Sequence, residues 1–376
     1  MANIYDIALT LTPHLGANGV AHLLDIFSTA DNIFSASLDE LTHFAQLKPE
    51  IAKSIIEKRS TEQAKAEMIF CQRNNITPIA STDDEYPKLL REMNDYPHVL
   101  YAKGNIKILN NLAVSIVGTR KISPYGQRAC DSIVKELAKC VPNGVVVSGL
   151  AFGVDSEVHR AALRHHIPTI AVLPSPLNAI TPAQHTRLAN EIVESGGALI
   201  TELHSQIKHM GRFYISRNRI IAGYSGATIL VESPESGGAM VTAKMASGYN
   251  RVVGAVPGRI TDAMSAGCNK LLANRVATPI LSAADIIREL MWDLQDDVKA
   301  SANTSPITLT EKEVWLLRHF KDDEPIHMDK IMEMTSLSIG EFSALMMGLE
   351  FASMVRLLPG NKYERLIPLN NVNSKI

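Results

Sequence analysis

The spacing of apolar residues changes along this 376-residue chain, and the first change falls near residue 105. Before it, apolar side chains recur at helix-like intervals, as in IYDIALTLTPHLGANGVAHLLDIF, and Gly-containing turns separate the stretches. This pattern predicts a bundle of short amphipathic helices over residues 1–105. Such a bundle is typical of SAM-like or helix-hairpin-helix domains, which serve more often for packing or partner binding than for binding DNA.

Residues 106–292 alternate short apolar runs with stretches of helical periodicity. The runs are LAVSIVG (112–118), VVVSG (145–149), PTIAVL (168–173), ALITEL (198–203), ATILVES (227–233) and RVVGAVPG (251–258). They are rich in Val and Ile without polar alternation, as expected of strands buried on both faces of a parallel sheet. Repeated strand–helix–strand units predict a Rossmann-like, doubly wound α/β sheet with right-handed crossovers. Function should then lie at the carboxyl ends of the strands.

The remaining sequence predicts a linker and a small C-terminal domain. Residues 293–305 are polar and show no hydrophobic periodicity. Residues 306–376 contain three short helical patterns and a strand-like pair around a Pro-Gly-Asn turn, which is the layout of a winged helix. Its presumed recognition helix, 338–353, carries two glutamates and no Lys or Arg, which favours a partner or dimer module over a duplex-binding one. The wing offers Arg356, Lys362 and Arg365 to a DNA backbone.

Composition narrows the class of protein. Lys and Arg number 37 against 39 Asp and Glu, so a globally basic nucleic-acid binder is excluded and any such site must be a local patch. The four cysteines lack metal-ligand spacing and indicate free thiols of a reducing compartment. Neither a signal-peptide pattern nor an apolar run long enough for a transmembrane helix is visible, so we expect a cytoplasmic protein.

The first two predicted strands end in small-residue turns. Gly118 and Arg120 follow the first strand, and the next helix starts near Ser123, so its amides and the guanidinium favour a phosphate. The second strand ends in SGLAFGVD (148–155), where Gly149 allows a backbone or phosphate to approach closely. An alternative for this turn is tight helix–sheet packing. Asp155 is expected to cap the following helix rather than to act as a catalyst.

The stretch RFYISRNRIIAG (212–223) carries the strongest local charge bias. Between Leu203 and Val231 there are four Lys or Arg residues and no Asp or Glu. Arginine planes bind phosphates through two hydrogen bonds and stack on bases. Further along, a Gly-Gly pair precedes a helix and predicts an amide-lined anion site. The complete predicted DNA-contact set is Gly118, Arg120, Gly149, Arg212, Arg217, Asn218, Arg219, Gly237, Gly238, Thr242 and Lys244.

Several enzyme signatures are missing from the sequence. GxxxxGK[ST], GxGxxG after the first strand, HExxH, CxxC pairs and GxSxG do not occur, which argues against P-loop, dinucleotide-dependent and common hydrolase chemistry. The histidines have no ligand spacing, so we expect neither a metal nor a cofactor. Glu202 and Glu232 lie at strand ends and are expected to accept hydrogen bonds from backbone amides rather than to act as acids or bases.

Taken together, these residues resemble the DprA (Smf) family of DNA-processing proteins. The resemblance spans about 112–275 and rests on SIVGTR, SGLAFGVD, IAVLPSPLNAITP, FYISRNRIIAG, SGGAMVTA, VVGAVPG and SAGCNKLL, in that order. It implies a non-enzymatic protein that dimerises through its Rossmann-like domain, binds and protects single-stranded DNA and helps load the RecA recombinase in natural transformation. It places the pocket on Gly118, Arg120, residues 217–219 and the Gly237–Gly238 turn.

The chain departs from the family pattern in two places. Tyr214-Ile215-Ser216 precedes Arg217 where the family often has Phe-Pro-x, which changes the lead-in to the basic triplet. The segment 237–243 reads GGAMVTA where many members carry SGSLITA. One hydroxyl that would bind phosphate is absent, so binding should depend more on backbone amides.

Two other functions remain open at this point. The Gly-Gly turn also resembles LOG-type phosphoribohydrolases, whose PGGxGTxxE motif supplies a glutamate for hydrolysis. Here no Asp or Glu follows Gly238 until Asp262, and Lys244 lies in that helix instead. A transcriptional regulator that uses the winged helix is the other alternative, and the acidic recognition helix argues against it.

Overall fold

The computed structural model of the chain describes residues 1–208, 210–292, 310–320, 325–351, 354–358 and 360–365. The chain divides into two compact units, Met1–Val298 and Lys299–Ile376. Among the residues described, no helix has the length and apolar character needed to cross a membrane.

The first unit alternates helices and strands after an all-helical start. Its helices, α1 to α13, are Ile4–Thr10, Ala17–Phe27, Ala30–Ser35, Pro49–Ile56, Thr61–Arg73, Lys88–Arg91, Pro124–Cys140, Val154–Arg164, Thr186–Glu194, Arg212–Tyr224, Gly238–Gly248, Ala266–Ala273 and Ala283–Glu289. Its strands, β1 to β9, are Thr77–Ala80, Val99–Gly104, Leu112–Val117, Gly144–Ser148, Thr169–Val172, Ala198–Thr201, Ala227–Leu230, Val252–Ala255 and Thr278–Pro279.

Within the described residues, nine strands form one sheet in the order β1-β2-β6-β5-β4-β3-β7-β8-β9. The strands from β3 to β9 run parallel, as their runs of buried Val, Ile and Ala predict. The chain moves outward from β3 to β6 and returns to β7 on the other side of β3. Ile133 and Val158 of α7 and α8 pack in one core, whereas Ile220 and Ala243 of α10 and α11 pack in another. The doubly wound, Rossmann-like prediction is therefore confirmed.

The helical prediction for residues 1–105 holds for α1–α6 but is wrong for β1 and β2. These strands pair antiparallel with each other, and β2 pairs antiparallel with β6, so both extend the large sheet. These two strands have only four and six residues. Periodicity cannot separate so short a buried strand from a helix segment. The boundary near residue 105 stays a prediction.

The N-terminal helices share a hydrophobic core with the sheet domain. Leu23 and Ile33 belong to the same buried cluster as Leu188 of α9 and Leu199 of β6. A buried polar chain adds to this contact: Asp6 lies 3.1 Å from His98 Nε2, and Nδ1 of the same ring lies 2.8 Å from Ser81 Oγ. The helical start of the chain is thus fixed against the edge of the sheet that carries β2 and β6.

The second unit is a winged helix, as predicted. Its helices, α14 to α16, are Glu311–Leu317, Met328–Thr335 and Ile339–Phe351, and its strands, β10 to β12, are Ile326–His327, Val355–Leu358 and Lys362–Arg365. The strands form an antiparallel sheet in the order β10-β12-β11. The predicted linker at 293–305 lies outside the described residues.

Two of the three wing cations have partners inside the domain. Arg365 is buried and donates to the carbonyl oxygen of Leu317 at 3.4 Å, and Arg356 pairs with Glu364 at 2.5 Å. The expectation that Arg365 reaches a DNA backbone is wrong, because its guanidinium holds β12 against α14. The role of this domain as a partner or dimer module stays a prediction.

Candidate nucleic-acid interface

A cavity of about 310 Å³ opens at the carboxyl ends of β3, β4 and β7. This is the edge of the sheet where the chain order reverses, the usual place for a ligand in doubly wound folds. The cavity is lined by Val117, Gly118, Thr119, Arg120, Ala151, Asp155, Tyr214, Arg217, Asn218, Ile221, Ser233, Pro234, Gly237, Gly238, Ala239 and Thr242.

The structure brings most of the predicted contact residues to this cavity. Those that line it are Gly118, Arg120, Arg217, Asn218, Gly237, Gly238 and Thr242. Those that do not line it are Gly149, Arg212, Arg219 and Lys244. Lys244 is exposed on α11, and Arg212 is exposed at the start of α10, with its guanidinium 5.4 Å from the Phe213 ring. That any of these residues contacts DNA stays a prediction.

Arg217 forms a fixed, positively charged wall of the cavity. Only 4% of it is exposed, and its Nη1 donates to the carbonyl oxygens of Gly149 and Val172, at the ends of β4 and β5. Burial lowers its pKa to about 10, and the nearby Asp155 carboxylate opposes that shift. Burial likewise raises the pKa of Asp155, which the charge of Arg217 opposes. Arg217 therefore joins two strand ends besides supplying charge.

The structure gives a different explanation for the glycine at position 149 from the one that the sequence suggests. A β-carbon at this position would overlap the guanidinium of Arg217. The glycine thus makes room for an arginine of the same chain, not for the backbone of a ligand. Its carbonyl oxygen then accepts from that arginine, so Gly149 supports the cavity from behind.

Arg120 is the cation at the open side of the cavity. Its side chain is exposed, and its guanidinium carbon lies 4.8 Å from the centre of the Tyr214 ring. A guanidinium beside an aromatic ring offers two contacts to a nucleotide, because the cation binds phosphate while the ring stacks on a base. Tyr214 belongs to the first turn of α10. The strand end of β3 and the start of α10 thus form this corner together.

Two helix starts near the cavity differ in what they offer to an anion. The start of α7 is already capped, because Ser123 Oγ accepts from Gly126 N at 3.1 Å, and the Glu232 carboxylate accepts from Ser123 N at 2.9 Å and from Ser123 Oγ at 2.5 Å. This confirms the structural role predicted for Glu232, and it corrects the expectation that the amides near Ser123 favour a phosphate. The start of α11 has no side-chain cap on Gly237, and a β-carbon at Gly238 would meet nothing within 4 Å. Met240 N donates to the carbonyl oxygen of Gly237 at 3.0 Å, so the amides of Gly238 and Ala239 and the positive dipole end are what this helix start offers to an anion.

Thr242 and Asn218 contribute polar atoms to the lining. The Thr242 hydroxyl donates to the carbonyl oxygen of Gly238 at 3.4 Å, and Asn218 Oδ1 accepts from Arg217 Nε at 3.3 Å. The expectation that Asp155 caps α8 is wrong, because the N-cap is Gly153 and Asp155 lies inside the first turn, where its carboxylate accepts from Ala151 N at 3.4 Å. Among the described residues, no group of three or more His, Cys, Asp or Glu is placed to hold a metal ion.

Arg219 lies on the other side of α10 from the cavity. Its guanidinium pairs with Glu202 at the end of β6 and donates to the carbonyl oxygen of Asp95 at 2.5 Å. Successive residues on a helix are about 100° apart, so Arg217 and Arg219 point in nearly opposite directions. Arg219 thus fixes α10 to the sheet edge and does not reach the predicted phosphate site.

Replacing Arg219 with alanine should therefore lower stability more than it lowers DNA affinity. We expect the free energy of unfolding to fall by about 2–3 kcal/mol, because Glu202 is left partly buried without its partner. Urea denaturation followed by circular dichroism measures this loss. The double variant Arg219→Ala, Glu202→Gln should recover part of it, and no recovery would contradict the pairing.

Comparison with known proteins agrees with this architecture. The family model of DNA recombination-mediator protein A matches residues 77–291, and that of the DprA winged helix domain matches residues 300–361. Protein Smf of Synechocystis is 32% identical over 345 residues, which cover 80% of this chain and 86% of that protein.

Two of the solved structures that resemble the chain are DNA processing proteins. DNA processing protein A from Streptococcus pneumoniae has a TM-score of 0.65 at 25% identity, over 78% of this chain and 99% of that one. DNA processing protein A from Helicobacter pylori, described for its single-stranded DNA binding mode, has a TM-score of 0.52 at 28% identity, over 58% of this chain and 97% of that one.

Proposed function

Because the chain belongs to the DNA recombination-mediator protein A (DprA) family, we propose that it binds single-stranded DNA in the cavity at the strand ends. The observation that carries this proposal is the pairing of Arg120 with Tyr214 beside the uncapped start of α11. Together they offer a cation, an aromatic face and the amides of Gly238 and Ala239 within one opening. The Helicobacter pylori relative, described for its single-stranded DNA binding mode, supports the same ligand.

Binding of this kind should not depend on the base sequence of the DNA. Arginine and helix amides bind phosphates, and a tyrosine ring stacks on any base, so affinity should fall with salt through counterion release. We extend the proposal, by family likeness, to a homodimer that protects incoming strands and helps load RecA in the cytoplasm. A dimer that places its two cavities on one DNA strand would bind that strand with higher avidity.

The proposed function includes no catalytic reaction. The glutamate that a LOG-type hydrolase needs after the Gly-Gly turn is missing, since no Asp or Glu occurs between Gly238 and Asp262. Two carboxylates precede the turn: Glu235 is exposed and pairs with Lys270 at 2.8 Å, whereas Glu232 is buried and accepts two hydrogen bonds from Ser123. It is thus engaged in holding α7 rather than poised to take a proton from a substrate.

The test compares Arg120→Ala with Lys121→Ala by fluorescence anisotropy on labelled oligo-dT. A charge-assisted hydrogen bond contributes about 1.5–3 kcal/mol, so Arg120→Ala should weaken binding by about tenfold or more. It should also reduce the dependence of log affinity on log salt by about 0.7, the share of one phosphate. Lys121 is the matched control, because it is the adjacent exposed cation and does not line the cavity.

Three outcomes would contradict the proposal. Equal losses in the two variants would mean that general surface charge, and not the cavity, binds the strand. Absent binding of oligo-dT by the unmodified chain would reject single-stranded DNA as the ligand. A preference for duplex DNA that Arg120→Ala leaves unchanged would favour the winged helix instead.

A further inference from the structure

A buried carboxylate of the N-terminal helices is directed at the connection between β6 and α10. Glu67 of α5 is 1% exposed. Its Oε1 accepts from Ser205 N at 2.9 Å, and its Oε2 accepts from Ser205 Oγ at 2.5 Å. Burying a carboxylate is costly unless hydrogen bonds replace its water. The two bonds to Ser205 supply that replacement.

The same face of α5 makes further contacts. Gln63, one turn earlier, donates from Nε2 to Gln206 Oε1 at 3.2 Å, and Cys71, one turn later, lies with Sγ 3.9 Å from Glu67 Oε1. Burial raises the pKa of the Cys71 thiol to about 12, so it stays protonated and can donate. Gln63 and Glu67, on consecutive turns of α5, thus hold residues 206 and 205, and Cys71 on the next turn donates to the Glu67 carboxylate.

Ser205 lies just upstream of the helix that carries the cavity's aromatic ring. Helix α10 begins at Arg212, and its N-cap residue Gly211 has no side chain to cap the first turn, so the amides of Phe213 and Tyr214 donate instead to the carbonyl oxygens of Met210 and Gly211, at 3.0 and 3.3 Å. An uncapped first turn is the least stable part of a helix. Tyr214, on which Arg120 rests, belongs to that turn. The position of Tyr214 therefore depends on how the preceding connection is held.

We propose that Glu67 is a positioning residue through which the N-terminal helices keep the DNA site in shape. By holding Ser205, Glu67 fixes the approach to α10 and keeps the Tyr214 ring beneath Arg120. The N-terminal helices then act on DNA binding without touching the strand. This inference rests on the proposed function of the cavity.

The experiment uses the full chain with Glu67→Ala, Glu67→Gln and Ser205→Ala, and Glu62→Ala as the control. Trypsin cleavage after the exposed Lys208 and Arg212, identified by mass spectrometry, reports on the connection, and anisotropy with oligo-dT reports on the site. Glu67→Ala should speed cleavage at these two positions by about tenfold and weaken oligo-dT binding by about fivefold, because the local opening becomes easier. Glu62, which is exposed on the same helix and pairs with Lys65, is replaced in the control, and Glu62→Ala should leave both measurements unchanged.

The conservative variants separate positioning from general stability. Glu67→Gln should behave like the unmodified chain, since its amide oxygen accepts from Ser205 N and its amide nitrogen donates to Ser205 Oγ. Ser205→Ala removes the bond from Ser205 Oγ to Glu67 and keeps the bond from Ser205 N. Its cleavage rate and its affinity for oligo-dT should therefore lie between those of the unmodified chain and those of Glu67→Ala.

The inference is overturned if Glu67→Ala and Ser205→Ala leave cleavage and affinity unchanged, or if cleavage accelerates equally at sites throughout the chain. A Glu67→Gln variant as impaired as Glu67→Ala would also overturn it, since the bonds to Ser205 would then not be the cause. Absent oligo-dT binding by the unmodified chain defeats the proposed function, and the cleavage comparison alone then decides whether Glu67 holds the connection.

Discussion

Replacing Arg217 with methionine is expected to lower the free energy of unfolding by about 3–5 kcal/mol, the usual cost of removing one partner from a buried charged network. The substitution keeps much of the apolar stem but removes the donor to the carbonyl oxygens of Gly149 and Val172. It also leaves the buried Asp155 carboxylate without the positive charge that offsets its burial. Urea denaturation followed by circular dichroism should show a lower midpoint with an unchanged slope.

Two further variants test the cause of this loss. Arg212→Met, at an exposed position of the same helix, should change stability by less than about 0.5 kcal/mol. Adding Asp155→Asn to Arg217→Met should recover part of the loss, because the uncompensated charge is removed. A loss below about 1 kcal/mol for Arg217→Met would show that the guanidinium does not hold the strand ends together.

Replacing Gly238 with aspartate is expected to weaken oligo-dT binding by about thirtyfold to a hundredfold, a loss of about 2–3 kcal/mol. The new carboxylate would occupy the open start of α11 and repel the phosphate that the amides there would bind. Since a β-carbon at this position meets nothing within 4 Å, the side chain fits without strain. An acid in the first turn interacts favourably with the helix dipole, so stability should stay equal or rise by about 0.3–1 kcal/mol.

Two controls isolate the effect of charge at this place. Gly238→Asn has almost the same shape without the charge and should stay within about threefold of the unmodified affinity. Gly248→Asp adds the same charge at the other end of α11, where a β-carbon also meets nothing within 4 Å, and it should leave oligo-dT binding nearly unchanged. Anisotropy on all three variants decides the matter. If Gly238→Asp binds oligo-dT with unchanged affinity, or if Gly238→Asp and Gly248→Asp lose equal affinity, then the start of α11 is not part of the DNA site.

The sequence alone predicted the parallel sheet and the edge where the cavity lies. Strands buried on both faces must be continuous apolar runs, so the pattern of 112–258 is specific. The carboxyl ends of parallel strands meet at one edge, so Gly118, Arg120 and Gly238 were expected together, and the structure brings them together. The short strands β1 and β2 were misassigned because four to six residues do not distinguish a strand from a helical turn.

The direction of each side chain was decided only by the tertiary structure. Arg217 and Arg219 are equivalent in the sequence, yet one turns into the cavity and the other pairs with Glu202 and Asp95. These partners come from distant segments, as does the pairing of Glu67 with Ser205, 138 residues apart. The sequence therefore determined which residues reach the edge of the sheet. Packing then determined which of their charges remain open to a ligand, because a buried cation or carboxylate takes whatever hydrogen-bonding partner the fold brings to it.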